Sequence, residues 1–400
     1  MNRKENSTMQ RRTFIRLAGG GTIAAAVITP LAACSSGPHY PAQAIEAWQG
    51  PVGETDLRRR AVAYAITAPN PHNLQPWVVD LREEGVITLR TDRERVLPET
   101  DPLGRQILIG HGAFLELLVL ALAQQGMASE VTLWPQGPLP AQLRNWDERP
   151  VARVVLRPGG EPDALFTQVL RRRTPKVDFD LARPVAPDLL QALLAGASRP
   201  GSPQAGGTVE PARLEALRAL CWQSAQVELR TPRTMMESIR LTRVGPSEIL
   251  EHRDGISLNT PFIRAAAALG FFDRSAPPEE GSAGYKGAMD RFEGHSRTAM
   301  GFVWLAGGNT RADQVAAGRA YVRLQLKATE LGLGMHPMSQ ALQEFAEMAP
   351  HYERAHQLVL GRAAPKEAGD PTVQMLCRLG YPQGEVPATP RRPMARLLQT

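Results

Sequence analysis

The sequence predicts an α+β protein made of two related α/β halves. Short apolar runs with strand character are scattered between helical stretches without strict strand–helix alternation. Two helical stretches run from glycine to glycine at one spacing, Gly112 to Gly126 and Gly318 to Gly332, with Leu118 and Leu120 matching Leu324 and Leu326. The chain of 400 residues is also long enough for two domain-sized units.

The N-terminus reads as an address. Arg11-Arg12 precedes a modest apolar stretch that contains Gly19, Gly20 and Gly21 and closes on Leu31-Ala32-Ala33-Cys34. Small residues before a cysteine resemble a bacterial lipobox, in which Cys34 becomes the acylated first residue after residues 1–33 are removed. An uncleaved membrane helix would need about 20 strongly apolar residues, which the glycines argue against. The twin arginine resembles the route for proteins exported already folded. The expectation is a periplasmic protein, lipid-anchored to a cell-envelope membrane and carrying a cofactor inserted before export. Removal of the leader takes away five basic residues and one acidic one, so most of the +6 charge goes with it. Nucleic-acid binding gains no support from the remaining balance. Apart from Cys34 only Cys221 and Cys377 remain, with no CxxC pattern.

The elements follow in order. Residues 34–53, rich in Pro, Gly and Ala, read as a tether. A helix is expected over 54–68, ending at Pro69, with strands at 78–81, 86–91, 130–134 and 151–156. Residues 112–123 are apolar nearly all round and read as a core helix. The first half spans 54–158 and the second 159–400, joined near 158–162. The second half opens with helices over 162–172 and 187–197 and a flexible loop over 199–207. Residues 273–294, polar and glycine-rich, read as a surface loop or lid. A strand at 299–305, the repeat helix over 318–331, a loop at 334–339 and a strand at 373–379 complete it.

Several familiar signatures are missing: GxxxxGK[ST], HExxH, GxSxG and a full GxGxxG. What stands out is Ala68-Pro69-Asn70-Pro71-His72-Asn73-Leu74-Gln75-Pro76-Trp77, whose prolines and Asn side chains fix a loop between helix and strand. Carboxamides offer donor and acceptor together, matching the mixed edge of a flavin pyrimidine; a capped helix end with an anchoring Trp is the structural alternative. Arg172-Arg173-Thr174-Pro175-Lys176 combines guanidinium forks, a hydroxyl and an ammonium, a set suited to a phosphate dianion or to a solvated basic helix end.

These segments resemble the nitroreductase family. The first is similar to that family's flavin-ring loop, with Asn70 in place of a serine, and implies ring contacts from Pro69, Asn70, Asn73 and Gln75. The second resembles its phosphate motif and implies contacts from Arg172, Arg173, Thr174 and Lys176. Leu331-Gly332-Leu333-Gly334-Met335-His336-Pro337-Met338-Ser339-Gln340 resembles the turn that packs against the flavin. It implicates Pro337, Met338 and Ser339, although Ser339-Gln340 replace a Glu-Gly pair. Thr389-Pro390-Arg391-Arg392-Pro393 resembles a C-terminal basic segment that contacts phosphate, so Arg391 and Arg392 join the set.

The ring loop occurs in the first half, and the phosphate motif and turn in the second. At 197–206 stands a degenerate ring loop in which Gln204 survives. The resemblance therefore implies a fused, monomeric pseudo-dimer of the Acg-type subgroup, with one FMN at the interface of its halves. It implies an FMN-dependent oxidoreductase serving a small-molecule electron donor or acceptor, with no metal and no assigned catalytic side chain. The rival expectation is a protein that stores or sequesters FMN without turnover. His72 and His336 could line the pocket, donate protons or serve structure alone.

Overall fold

The computed structural model describes residues 40–399 except 198, 200 and 271. The expected leader and Cys34 lie outside the described residues. From Ala42 onward the expected tether is part of the folded body. Two 3-10 turns, Ala42–Ala44 and Glu46–Gln49, bury Ala44 and Trp48, and the indole N–H of Trp48 donates to the Thr389 carbonyl at 2.8 Å.

Helix α1 (Leu57–Ala65) begins where the Asp56 carboxylate accepts the Arg58 and Arg59 amides. Strands β1 (Trp77–Asp80) and β2 (Val86–Thr91) follow, then α2 (Arg105–Ala123), β3 (Met127–Leu133) and β4 (Ala152–Pro158). Helix α2 starts at Arg105, about two turns earlier than the apolar run over 112–123 suggests. The Asp101 carboxylate reaches forward to the Gln106 and Ile107 amides and supplies the start signal. The helix expected over 162–172 is a 3-10 turn, Ala164–Gln168. Helix α3 (Pro187–Ala197) leads to β5 (Gln204–Thr208), which takes the last four residues of the expected loop and the last three of the degenerate ring-loop copy.

A helical segment then inserts α4 (Pro211–Arg230), α5 (Pro232–Arg240), β6 (Thr242–Val244), α6 (Gly245–His252), β7 (Ile256–Leu258) and α7 (Pro261–Ala268). The expected lid is half helix: α8 (Ala283–Arg297) is capped by Ser282 and ends in buried His295 and Ser296. The chain closes with β8 (Gly301–Gly307), α9 (Arg311–Glu330), β9 (Gly334–Pro337), α10 (Ala349–Leu360), β10 (Thr372–Gly380) and β11 (Leu398–Gln399). The fold is α+β.

Five strands form one sheet in the order β11-β1-β2-β4-β3, four a second in the order β5-β8-β10-β9, and β6 pairs β7 apart from both. The second sheet is antiparallel throughout, whereas β11 lies parallel to β1. The C-terminal strand thus completes the sheet of the first half, and the boundary at 158 is crossed by the chain's end. Between the sheets α2 crosses α9 at Gly112 and Gly318. A Cβ on Gly112 would stand 2.0 Å from the Val315 carbonyl oxygen, and one on Gly318 would stand 1.9 Å from that of Ile109. Each glycine thus meets the carbonyl three residues before the other. Beside the crossing, buried Glu116 accepts from Arg319 at 2.8 Å and Arg323 at 3.0 Å.

The crossing admits no methyl group, so Gly112→Ala should destabilise the protein by about 1–3 kcal/mol in urea unfolding. Gly284→Ala, on a helix with open space around that position, should be neutral or stabilising by up to about 1 kcal/mol.

Candidate functional site

The loop after α1 is held in an uncommon backbone state. His72, Asn73 and Gln75 all have φ near +50°, a region that costs non-glycine residues energy unless the surroundings fix it. The surroundings do. Asn70 Oδ1 accepts the Gln75 amide at 2.8 Å, and Asn73 Nδ2 donates to the Pro390 carbonyl at 3.1 Å. Gln75 Nε2 donates to the Arg253 carbonyl at 2.9 Å, and Gln75 Oε1 accepts the Arg392 amide at 2.8 Å. Arg391 donates to Asn73 Oδ1 at 2.7 Å and to the carbonyl of Thr67 at 3.0 Å. Residues 389–392 therefore strap the loop down, and the carboxamides of Asn73 and Gln75 are spent within the protein.

Three guanidiniums gather beside this strap. Arg172, Arg173 and Arg391 stand 5.2, 4.4 and 5.1 Å from the centre of the Trp48 ring. Arg172 donates to Gln325 Oε1 at 3.0 Å, to the Thr67 carbonyl at 2.6 Å and to Thr174 Oγ1 at 3.2 Å. Arg173 reaches only carbonyls of its own turn. The described residues give none of the three a carboxylate partner. Burial pulls Arg172 down to about 10. It lowers Arg391 as well, with Arg172 and Arg173 adding repulsion. The Nε–H groups of Arg172 and Arg391 are buried without a partner. Such a cluster, held by an aromatic face and carbonyls, is short of negative charge. A cleft of about 310 Å³ between residues 46–54 and α1 borders Arg391.

Next along the chain, Lys176 and Arg291 project into a pit. Both side chains meet water, yet burial is the main cause that lowers each pKa, so protein encloses them at longer range. Lys176 falls to about 8, with Arg291 and Arg391 adding repulsion. Neither has a hydrogen bond or ion pair among the described residues. Around them stand His72, His295 and His336, all pushed toward the neutral form, first by burial, then by Lys176 at His72 and by Arg378 at His295 and His336, with Lys176 and Arg291 adding to the last two. His72 shares a hydrogen bond with Ser238 at 3.0 Å. Glu228 is pushed up to about 7 by burial, and it accepts from Gln343 at 2.9 Å.

The structure thus brings Asn73, Gln75 and Arg391 together, and joins Arg172 to Thr174 and to Trp48. Pro69 is buried at the loop's start. Arg392 stands apart in role: it donates to the Gln75 carbonyl at 2.9 Å and is balanced by Asp92 at 3.4 Å. Pro337 is an edge-strand residue opposite Cys377, and the Met338 side chain belongs to an apolar core with Leu214 and Phe302. Ser339 begins the 3-10 turn that follows. Cys221 and Cys377 are buried free thiols. Trp48, Arg291, His295 and Arg378 escaped the sequence analysis. Trp48 sat in an apparent tether and Arg291 in an apparent loop; only the unexplained tryptophan before the first helix hinted at more.

No family model matches the chain. It is similar to a Mycobacterium tuberculosis strain H37Rv protein provisionally named NAD(P)H nitroreductase acg, at 28% identity over 352 residues. That match covers 85% of this chain and 94% of the relative. A second provisionally named NAD(P)H nitroreductase of the same strain is 26% identical over 360 residues, covering 86% and 92%. Among solved structures, the FMN-dependent nitroreductase NfnB from Mycobacterium smegmatis, in complex with NADPH, matches 58% of this chain and 96% of its own. Its identity is 17% and its TM-score 0.33.

The depressed Lys176 makes a pH-dependent prediction. Its ordinary pKa is 10.5, so below about pH 8 the folded chain carries a poorly solvated ammonium, a cost that lessens as pH rises toward 10.5. An anion beside it offsets that cost only while the amine is protonated. Inorganic phosphate should therefore raise the melting temperature at pH 7 relative to chloride at equal ionic strength. Its affinity should fall by up to about tenfold per pH unit above 8, a dependence that Lys176→Gln should flatten.

Proposed function

We propose that this nitroreductase-like chain is an FMN-binding oxidoreductase, with one FMN at the junction of its two sheets. The observation that carries the reading is the unbalanced basic set of Arg172, Thr174, Lys176 and Arg391, whose buried Nε–H groups on Arg172 and Arg391 are unspent. Unpaired guanidinium donors, a hydroxyl and an ammonium are the chemistry of a phosphate monoester site. These four residues would hold the FMN phosphate end, and the bound flavin would supply acceptance and release of a hydride. Asn73 and Gln75 shape the loop beside it through the strap of residues 389–392, and Asn70 locks the turn by accepting the Gln75 amide.

The chain's own residues would do three things. Buried guanidiniums fix the anion. Lys176 and Arg291 keep the pit positive, which favours any negative charge that develops there. The loop, the strap and the walls formed by His72, His295 and His336 restrict water. The substrate is a small-molecule electron donor or acceptor.

The wider reading is that the protein is a monomeric pseudo-dimer, exported by the twin-arginine route and anchored through a lipid on Cys34. The reciprocal contacts of Gly112 and Gly318, each against the carbonyl three residues before the other, support two halves related by an approximate twofold. Storage of FMN without turnover is the second reading, favoured by Ser339-Gln340 at the turn that follows β9.

The test is an absorbance spectrum of the folded, leader-free protein, then anaerobic titration with dithionite and with NADPH. A bound flavin bleached by NADPH and reoxidised by a quinone or nitroaromatic is the expected result. Reduction by dithionite alone would favour storage or another donor, and no flavin after addition of FMN would end the reading. The Thr174→Ala, Lys176→Ala double variant should weaken FMN by roughly 100-fold, as expected for about 3 kcal/mol of charge-assisted hydrogen bonding.

A further inference from the structure

Arg378 sits two residues before the end of β10, directly opposite His336 of β9 in the antiparallel ladder. Cross-strand partners share a face of the sheet, and here they bond: Arg378 Nε donates to His336 Nδ1 at 3.0 Å. The other guanidinium nitrogens are also spent. They donate to the His295 carbonyl at 3.0 Å and Thr298 Oγ1 at 3.2 Å, and to the carbonyls of Pro175 at 3.3 Å and Val177 at 2.7 Å. Phe179 packs against the guanidinium at 4.1 Å. One buried arginine thus pins both carbonyls flanking Lys176, the His295 backbone and one nitrogen of His336.

The last of these bonds fixes a tautomer. An arginine N–H cannot accept, so His336 Nδ1 must present a lone pair, and the ring's proton sits on Nε2. His336 Nε2 has no partner among the described residues. It is also not among the buried polar atoms that lack one, so it meets open space. The neighbouring His295 ring packs edge-on at 5.1 Å, and Arg291 stands one turn before His295 on the same face of α8; burial, then Arg378, His295, Lys176 and Arg291, hold His336 toward its neutral form. A neutral imidazole held this way donates a hydrogen bond without titrating.

We propose that His336 Nε2–H and the Arg291 guanidinium form an oxyanion subsite in the pit, and that the substrate is an organic anion, an aryl or alkyl carboxylate, whose oxygen they receive. The inference rests on the oxidoreductase reading for what happens to that substrate, but its recognition step is testable without the cofactor. Arg378 acts as the positioning residue: it touches no substrate and sets which nitrogen of His336 carries the proton.

The experiment uses the folded chain, with benzoate as the anionic probe and benzamide as its neutral counterpart. Long-range nitrogen–proton spectra, assigned with His336→Phe, should show His336 as the Nε2–H tautomer at pH 7. Benzoate should shift that signal and bind at least about tenfold more tightly than benzamide. His336→Phe should lose benzoate binding and His336→Gln, which keeps an N–H, should retain most of it. Arg291→Gln should erase the preference for benzoate over benzamide. An Nδ1–H tautomer, an imidazolium, or a His336 signal indifferent to benzoate would overturn the inference. FMN retention is measured on the same samples. Benzoate bound through His336 in a chain that takes no FMN supports the subsite and removes the flavin reading; FMN bound with His336 indifferent to benzoate does the reverse.

Discussion

Everything in this fold is hung on the close approach of two helices. Helices α2 and α9 meet where neither can carry a Cβ, with Gly112 and Gly318 each pressed against the other's backbone. That approach lets Glu116 reach both Arg319 and Arg323, and Arg323 continue to Asp163 at 2.9 Å. From the N-terminal end of α2, Arg105 donates to the Gln374 carbonyl of β10 at 2.8 Å and pairs with Glu344 at 3.2 Å. The helix that supports the first sheet is therefore bolted to the second.

The second organising fact is electrical. Buried cations are ordinarily paired, and several charged side chains deep in this protein are: Arg105 with Glu344, Arg323 with Glu116, Asp254 with Arg95 and Arg243. Around Trp48 and in the pit the habit breaks. Arg172, Arg173 and Arg391 are held by carbonyls and an indole face, Arg291 stands 5.4 Å from the centre of the Phe292 ring, and Lys176 has no partner among the described residues. The one carboxylate that faces Arg291, Glu228, is itself drawn toward its neutral form by burial. Uncompensated positive charge of this kind is what the proposed anion would neutralise.

Much of this was legible in the sequence, and the reasons for the gaps are specific. Strand β2 and helix α3 were read at their full extent because alternation and a proline start are local signals. The basic motif at 172–176 was legible as a composition, and the loop at 69–76 as a run of turn residues. Which donors are consumed and which remain was not, since that depends on partners 317 residues away. Arg378 lay within the strand expected over 373–379, where its role needed the ladder register. The insertion from α4 to α7 left no mark because its helices are short or weakly amphipathic, and their packing rather than their pattern fixes them. The tether was misread for a related reason: a Pro- and Ala-rich segment looks loose until a tryptophan finds its pocket.

The strap of residues 389–392 has a consequence for how the molecule is made. Arg391 donates its amide to the Ala44 carbonyl at 2.8 Å, so nearly the first and nearly the last described residues meet at the cationic cluster. The first sheet also waits for β11 to take its edge. During synthesis the early strands and α2 can collapse on one another, but the cluster of Arg172, Arg173 and Arg391 is not assembled until residues 389–392 join the fold. A chain cut before residue 389 consequently lacks Arg391 and its bonds to Asn73 and the Thr67 carbonyl. The cluster therefore forms only once segments 341 positions apart, at Trp48 and Thr389, have met.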